Sequence, residues 1–464
     1  MAGIGFALRK LAAQDNFSGI LRAFVHSAIA AVGPWIMIVV AMTCIYVFAQ
    51  EVVDASEIQD FEAVLVYNFF FSFILSGGLY SLTARYVSDC LYRRDPLPVP
   101  GIFLVSMAFL LIPAVLLSTG FYSFYTEMDR ASVFFSIVQF VLLSEIWLAM
   151  LYLGCIRNFK AISWSWIAGM VVTVILTVIL GQEYGCAGML AGMSIGLTLL
   201  LAVLKGNIFA EYPYAFQKPK DFGFYFRYYK GLFWSGMFLN AGMWIDKIIM
   251  WGAKEAVLHH NHLVTYPAYD GGMFLSYLSI IPAAAYFIYS LETNFYESYI
   301  QYIESVEKNA PLQVLNDIAE EICEKIRQNG RTLLVIQGSV TLLLILTAPK
   351  IFEWANFNFL ELSIFRFGLL GAFFTVLNLF VVILFSYFDN DRRMMVITVI
   401  MLGANIVFTL IFRGWGVPWY GVGFCLAMIV TFLVGALLFL QFLRRFTYHI
   451  FISNVVRRRY TETR

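Results

Sequence analysis

Five ionisable side chains fall inside long apolar runs of this sequence: His26, Glu145, Asp246, Lys247 and Arg366. In hydrocarbon each costs a few kcal/mol unless it meets a partner or water, so each is a candidate for transport chemistry. Glu145 is the deepest, near the middle of the run 133–154. It is either a protonated or hydrogen-bonded acid inside a bundle, or the polar wall of a pathway or a proton-coupling site. Asp246 and Lys247 lie about five residues, roughly 8 Å, inside the end of the run 232–251. Neighbouring helical positions point about 100° apart, so each is expected to find its own partner, and Lys247 can also snorkel outward. His26 and Arg366 sit one turn into their runs, where snorkelling or interface pairing ordinarily suffices.

Backbone breaks are the second resource of a membrane site. Gly33 and Pro34, followed by Trp35, interrupt the first run, and Pro282 interrupts the eighth. A broken helix frees carbonyls that a cavity can use, although a plain kink has the same signature. His259, His260 and His262 cluster after the seventh run without a carboxylate or cysteine at ligand spacing, which argues against a metal. The six cysteines are scattered, suggesting neither a disulfide framework nor zinc. With no Walker loop, Rossmann glycine pattern or soluble nucleotide domain, no cofactor is expected. Uphill movement would draw on a gradient or on continued synthesis of the cargo.

The elements that must position these residues are membrane helices. A chain that is 61% apolar and 13% charged has too little polar surface for a soluble domain. Twelve runs long enough to cross hydrocarbon about 30 Å thick are read at 23–48, 63–83, 102–122, 133–154, 162–181, 186–204, 232–251, 273–291, 333–348, 362–388, 394–412 and 420–443. If the N-terminus is cytoplasmic, only Arg130, Lys254, Lys350, Arg366 and Arg413 lie outside and Lys247 within a span. The other 25 of 31 cations are then inside, so both termini are expected in the cytoplasm. A net charge of +1 conceals this asymmetry and points to no nucleic acid partner. The short amphipathic start, residues 5–14, carries no cleavable signal pattern.

The expected organisation is an N-terminal lobe 1–204, a connector 205–231, a C-terminal lobe 232–443 and a basic tail 444–464. The connector mixes rings such as Phe222, Tyr225 and Tyr229 with five cations, which suits headgroup depth. Phe17, Leu21, Arg22 and Phe24 lead into the first span as Tyr225, Arg227, Tyr228 and Lys230 lead into the seventh, a weak sign of six-plus-six repetition. The loop 297–330 carries seven acids against three bases, with Pro311 before a helix whose stripe is Leu315, Ile318, Ile322 and Ile326. Such a helix either packs under the bundle or docks a cytoplasmic partner.

Several segments, in this order, resemble the PelG-type transporters of the polysaccharide transporter branch of the MOP superfamily, essentially end to end. They are Gly3-Ile4-Gly5-Phe6 with Arg9-Lys10, Gly33-Pro34-Trp35, Thr83-Ala84-Arg85-Tyr86-Val87-Ser88-Asp89, Trp244-Ile245-Asp246-Lys247, Tyr269-Asp270 and Phe385-Ser386-Tyr387-Phe388-Asp389. Within them Asp270 joins the pathway candidates. The resemblance implies an all-α membrane protein of 12 transmembrane helices in two six-helix lobes around a central cavity. The implied cargo is an N-acetylhexosamine-rich exopolysaccharide crossing a bacterial inner membrane. The implied partners are a cytoplasmic PelF-like glycosyltransferase, a PelD-like cyclic-di-GMP receptor and a PelE-like membrane scaffold. The stripe on 297–330 and the tail 444–464 are the candidate docking surfaces.

Three other readings compete. A flippase for a lipid-linked oligosaccharide shares the fold but needs cavity cations to meet a pyrophosphate, and Lys247 is the clear cation inside a run. A cation-coupled antiporter would use Glu145 and Asp246, while a synthase scaffold would need neither. An enzyme is disfavoured, because His26 has no sequence-near partner of catalytic type.

Overall fold

The computed structural model describes residues 17–156, 158–217, 219, 222–290, 296–354, 359–446 and 448, leaving the side chains of 17–32, 289, 296–297, 307 and 359–360 aside. The expected N-terminal amphipathic helix before residue 17, most of the basic tail and the side chain of His26 lie outside the described residues.

Apolar runs become helices because, in hydrocarbon, a helix alone satisfies every backbone donor and acceptor within one segment. The order is α1 Phe17–Ala49, α2 Ala55–Tyr92, α3 Val99–Tyr125, α4 Arg130–Cys155, α5 Phe159–Glu211, α6 Phe222–Tyr228 and α7 Lys230–Met250. A hairpin of β1 Val257–Leu258 and β2 Val264–Thr265 follows. Then come α8 Pro267–Leu278, α9 Ile281–Ser290, α10 Tyr296–Glu307, α11 Leu312–Trp354, α12 Phe359–Tyr387, α13 Asp391–Arg413 and, after a 3-10 turn at Val417–Trp419, α14 Val422–Leu443. Among the described residues nine helices are long and apolar enough to cross a membrane, so the chain is an all-α, multi-pass membrane protein.

Three junctions follow from single residues. Asp129 caps α4 by accepting from Ala131 and Ser132 backbone N–H. The fifth and sixth runs form the two halves of α5, which meet at Gly185, whose φ of 58° is left-handed, and lie against each other where Gly188, Gly192 and Gly196 approach Leu180, Leu176 and Thr173. The eighth run is split: α8 stops at Leu278 and α9 restarts at Ile281, with Pro282 in its first turn, where a missing N–H is tolerated. The amphipathic helix after Pro311 does not end before the ninth span. It continues into it as the 43-residue α11, about 65 Å long at helical rise.

The chain divides into two compact units, Val32–Pro267 and a second from Ala268 onward. In the first, α2 packs against α4 and α7, and α4 packs against α5. The seventh span, α7, belongs to this unit. A Cβ at Gly236 would collide with Ser81 and the Gly77 carbonyl, so small residues let α2 and α7 approach closely. In the second unit α12, α13 and α14 pack together, and α12 lies on α11 through Phe352, Phe365 and Leu369.

Candidate transport site

Glu145 has a partner that reading the sequence missed. Its Oε2 accepts from Lys205 Nζ at 2.8 Å, with the two side chains 12% and 36% exposed. Lys205 lies one residue past the sixth apolar run, at the first position of the expected connector. Because α5 continues as helix to Glu211, the lysine instead stays on the bundle and faces α4.

The core beside α4 holds a second polar group of residues. Asn68 Nδ2 donates to Gln139 Oε1 at 2.8 Å and to the Ser136 carbonyl at 3.1 Å, while Tyr122 Oη donates to Asn68 Oδ1 at 2.7 Å. All four residues are buried, and such a satisfied network costs little while fixing helix register. Nearby, Trp147 Nε1 donates to Ser72 Oγ at 3.1 Å, which orients the indole between Phe69 and Phe73. Uncharged Asn and Gln inside apolar runs were the available signal for this group.

Asp246 and Lys247 are both buried on α7. Although successive positions diverge around a helix, the lysine side chain folds back and brings Nζ to 3.5 Å from Asp246 Oδ2. It also lies 4.5 Å over the Trp244 ring. The two charges therefore contact each other as well, which the divergence of neighbouring helical positions did not suggest. Asp270 is half-buried in the first turn of α8, and Arg366 is half-buried on α12. Gly33 and Pro34 are buried inside α1, which passes through Pro34 as helix. Among the described residues, Glu145 and Lys205 meet in the first unit, as do Asp246 and Lys247. Asp270 and Arg366 belong to the second unit.

The stripe Leu315, Ile318, Ile322 and Ile326 is buried, with Ile322 fully so. It packs inside the second unit, where α11 meets α10, and Lys325 bridges Glu321 at 2.6 Å and Ser298 at 2.6 Å. This face is therefore occupied within the chain, which corrects its reading as a free docking surface. The acids Asp317, Glu320 and Glu324 remain exposed on the opposite side of the helix.

The segment 83–89 holds the connector. Arg85 pairs with Asp89 at 3.4 Å and stacks over Tyr229, while Tyr225 Oη donates to Asp89 Oδ2 at 3.1 Å. The segment 385–389 closes α12 in the second unit, with Arg393 5.4 Å over the Phe442 ring and Tyr299 Oη donating to the Tyr387 carbonyl. The histidines have local roles: His259 Nε2 meets Thr265 Oγ1 at 2.7 Å and His262 Nδ1 lies 3.5 Å from Glu127. Among the described residues no group of three or more His, Cys, Asp or Glu is placed to hold a metal ion.

The sequence matches, over residues 1–451, the family described as "PelG: Putative exopolysaccharide Exporter (EPS-E)". No curated protein matches the chain by sequence. Solved structures of MOP superfamily transporters match by fold. A Vibrio cholerae MATE transporter, VcmN, in an aspartate-to-asparagine mutant form, has a TM-score of 0.67 and 10% identity, covering 95% of this chain and 98% of its own. An outward-facing multidrug resistance MATE transporter has a TM-score of 0.66 and 12% identity over 92% and 96%. A Pyrococcus furiosus MOP transporter, described as having reversed polarity in its binding pocket, has a TM-score of 0.62 and 13% identity over 91% and 96%. At these identities the likeness establishes a MATE-like fold.

Proposed function

Because the chain belongs to the PelG family of exopolysaccharide exporters, we propose that it carries an N-acetylhexosamine-rich exopolysaccharide across the bacterial inner membrane, between two helical lobes and without an ATPase of its own. The observation that carries this reading is the family match over residues 1–451 on a chain with the MATE-like transporter fold.

Twelve crossings follow if α5 crosses twice, once on each side of Gly185, and if α1 and α7 join the nine long apolar helices. The halves before and after Gly185 lie against each other, and each, at about 39 Å by helical rise, is long enough to cross the hydrocarbon. An even count with cations concentrated on one side puts both termini in the cytoplasm. The partners are a PelF-like glycosyltransferase delivering polymer from the cytoplasm, a PelD-like cyclic-di-GMP receptor and a PelE-like scaffold. The exposed acids of α11, Asp317, Glu320 and Glu324, are the docking surface for them that the packed stripe cannot supply.

Glu145 with Lys205, and Asp246 with Lys247, are the charged pairs of the pathway, and Asp270 and Arg366 are its further polar groups. In both pairs the lysine is already held by a carboxylate, which favours a neutral polymer over a lipid-linked pyrophosphate. The deciding experiment follows labelled N-acetylhexosamine glycan in cells that keep the synthase and lack this chain, together with a test for lipid pyrophosphate. Lipid-free polymer trapped or stalled in the cytoplasm is the expected result. A lipid-linked intermediate would turn the reading to a flippase, and undiminished periplasmic polymer would sink both.

A further inference from the structure

In the first unit α2 packs against α4 on one side and α7 on another, and each contact takes its own arc of the helix. Asn68 and Ser72 meet α4 at Gln139 and Trp147, whereas Phe70, Gly77 and Ser81 meet α7 at Trp244, Asn240 and Gly236. At about 100° per residue these arcs leave a strip between them, and Glu62, Val66, Phe69, Phe73, Tyr80 and Ala84 fall on it at spacings of three, four and seven. None of the six is buried. From Glu62 to Ala84 the strip runs about 33 Å at helical rise, the full depth of the hydrocarbon.

Both borders of the strip carry groups that suit a sugar. On the α4 side Trp147 donates through Nε1 to the buried Ser72 Oγ at 3.1 Å, and its half-buried indole meets Phe73 at 5.4 Å and Phe69 at 6.2 Å between centroids. On the α7 side the half-buried Asn240 donates to the Phe73 carbonyl at 2.7 Å. The strip is a recess and not an outer surface: Tyr80 is 45% exposed and Glu62 is exposed, although both lie deep among protein atoms. A stripe facing lipid has the exposure without that depth, and a carboxylate there would be costly. Aromatic faces carry partial negative charge and attract the C–H faces of pyranose rings, while an amide and a carboxylate exchange hydrogen bonds with hydroxyl and acetamido groups. Rings already held in place cost little to order, and several weak positions in a row let a chain both enter and leave.

We propose that this face of α2, bordered by Trp147 and Asn240, is a track on which the exported glycan slides, its sugars stacking on Phe69, Phe73, Tyr80 and Trp147. The track rests on the glycan cargo proposed above and adds the side chains that hold it. The test places one cysteine at Phe73 or Tyr80 of the full chain in cells and follows its reaction with a polar thiol reagent, above the background of the wild-type chain, whose six cysteines are half-buried or buried. Because only a water-exposed thiolate reacts, Phe73→Cys and Tyr80→Cys should label about tenfold or more faster than Leu116→Cys on α3, a position 68% exposed. Labelling should slow while the synthase makes polymer, compared with an inactive synthase, and a labelled chain should no longer release glycan. Labelling no faster than at Leu116→Cys, or at one rate with and without polymer, would overturn the track. At equal amounts of chain in the membrane, Trp147→Ala with Phe73→Ala should lower release about fivefold or more, and Trp147→Phe with Phe73→Tyr should keep most of it. Undiminished release from the alanine double variant would also overturn the track. Failure of the cargo reading is distinct, because glycan release would then persist in cells that lack the chain.

Discussion

Removing one member of the Glu145–Lys205 pair strands the other charge in a partly buried place, while removing both leaves neither. Because Lys205 keeps 36% exposure, the single-variant cost belongs at the low end for buried pairs, about 1–2 kcal/mol. Glu145→Gln and Lys205→Met should each lower the unfolding midpoint, and the double variant should lose less than their sum by about 1 kcal/mol. Thermal unfolding of the four proteins in detergent checks this; strict additivity would mean the two side chains are not coupled. His259 supplies a pH test. Burial holds its imidazole below the usual 6.5, the Asp60 carboxylate opposes that shift, and His260 adds to it. A lowered value means the undocked hairpin binds the proton more readily than the docked one. Docking strength is therefore complete above about 6.5 and falls as pH drops below it. Glu127 lies 3.5 Å from His262 on the same hairpin, so exchange of 257–265 at pH 7.5 and 5.5 should be compared in wild type and His259→Gln. The acceleration on acidification should shrink in the variant.

Two elements carry their own tests. The α11 stripe reads in the sequence as a surface that either packs or docks, because three- and four-residue spacing states only that one face is apolar. Its burial predicts that Ile322→Glu costs about 3–5 kcal/mol and lowers the yield of folded chain. Exposed Glu320→Lys should leave folding unchanged within about 0.5 kcal/mol and test partner binding by co-purification. Expression and unfolding midpoints separate the two outcomes. At the α5 break, Gly185 has a φ of 58°, and a Cβ there would crowd the Glu57 carboxylate, which accepts from Cys186 N–H at 2.7 Å. Gly185→Ala should therefore cost about 1–2 kcal/mol, whereas Gly120→Ala, with open space around its Cβ, should be neutral or stabilising. Pro282 made the split between α8 and α9 legible, and the gap between the fifth and sixth runs marked the break at Gly185, though not its positive φ.

At the scale of the molecule, a multi-pass bundle of MATE-like fold in an exopolysaccharide exporter family places the function in passage rather than in chemistry. Deletion of the chain is expected to stop glycan release without lowering the specific activity of the glycosyltransferase assayed in extracts. A fall in that activity would mean that the chain serves synthesis itself. Replacing both members of a charged pair, as Glu145→Gln with Lys205→Met, should cut export about tenfold while assembly with the synthase is retained. Unchanged export from an assembled complex would remove that pair from the pathway.

Composition and run length alone determined that this chain is a helical membrane protein. Leaving backbone polar groups unpaired in a bilayer is so costly that long apolar runs of this kind have few structures open to them besides helices. The asymmetry of Lys and Arg set the expected orientation, and motif order pointed to the family that the whole-chain match established. Only the tertiary structure decided which charge meets which: Lys205 is 60 residues from Glu145, and Asn261 is 201 residues from Asp60. Partners so far apart leave no local periodicity to read. Whether an apolar stripe is covered, a glycine reverses a helix or an asparagine ties a hairpin to a helix depends on what the folded chain brings beside it.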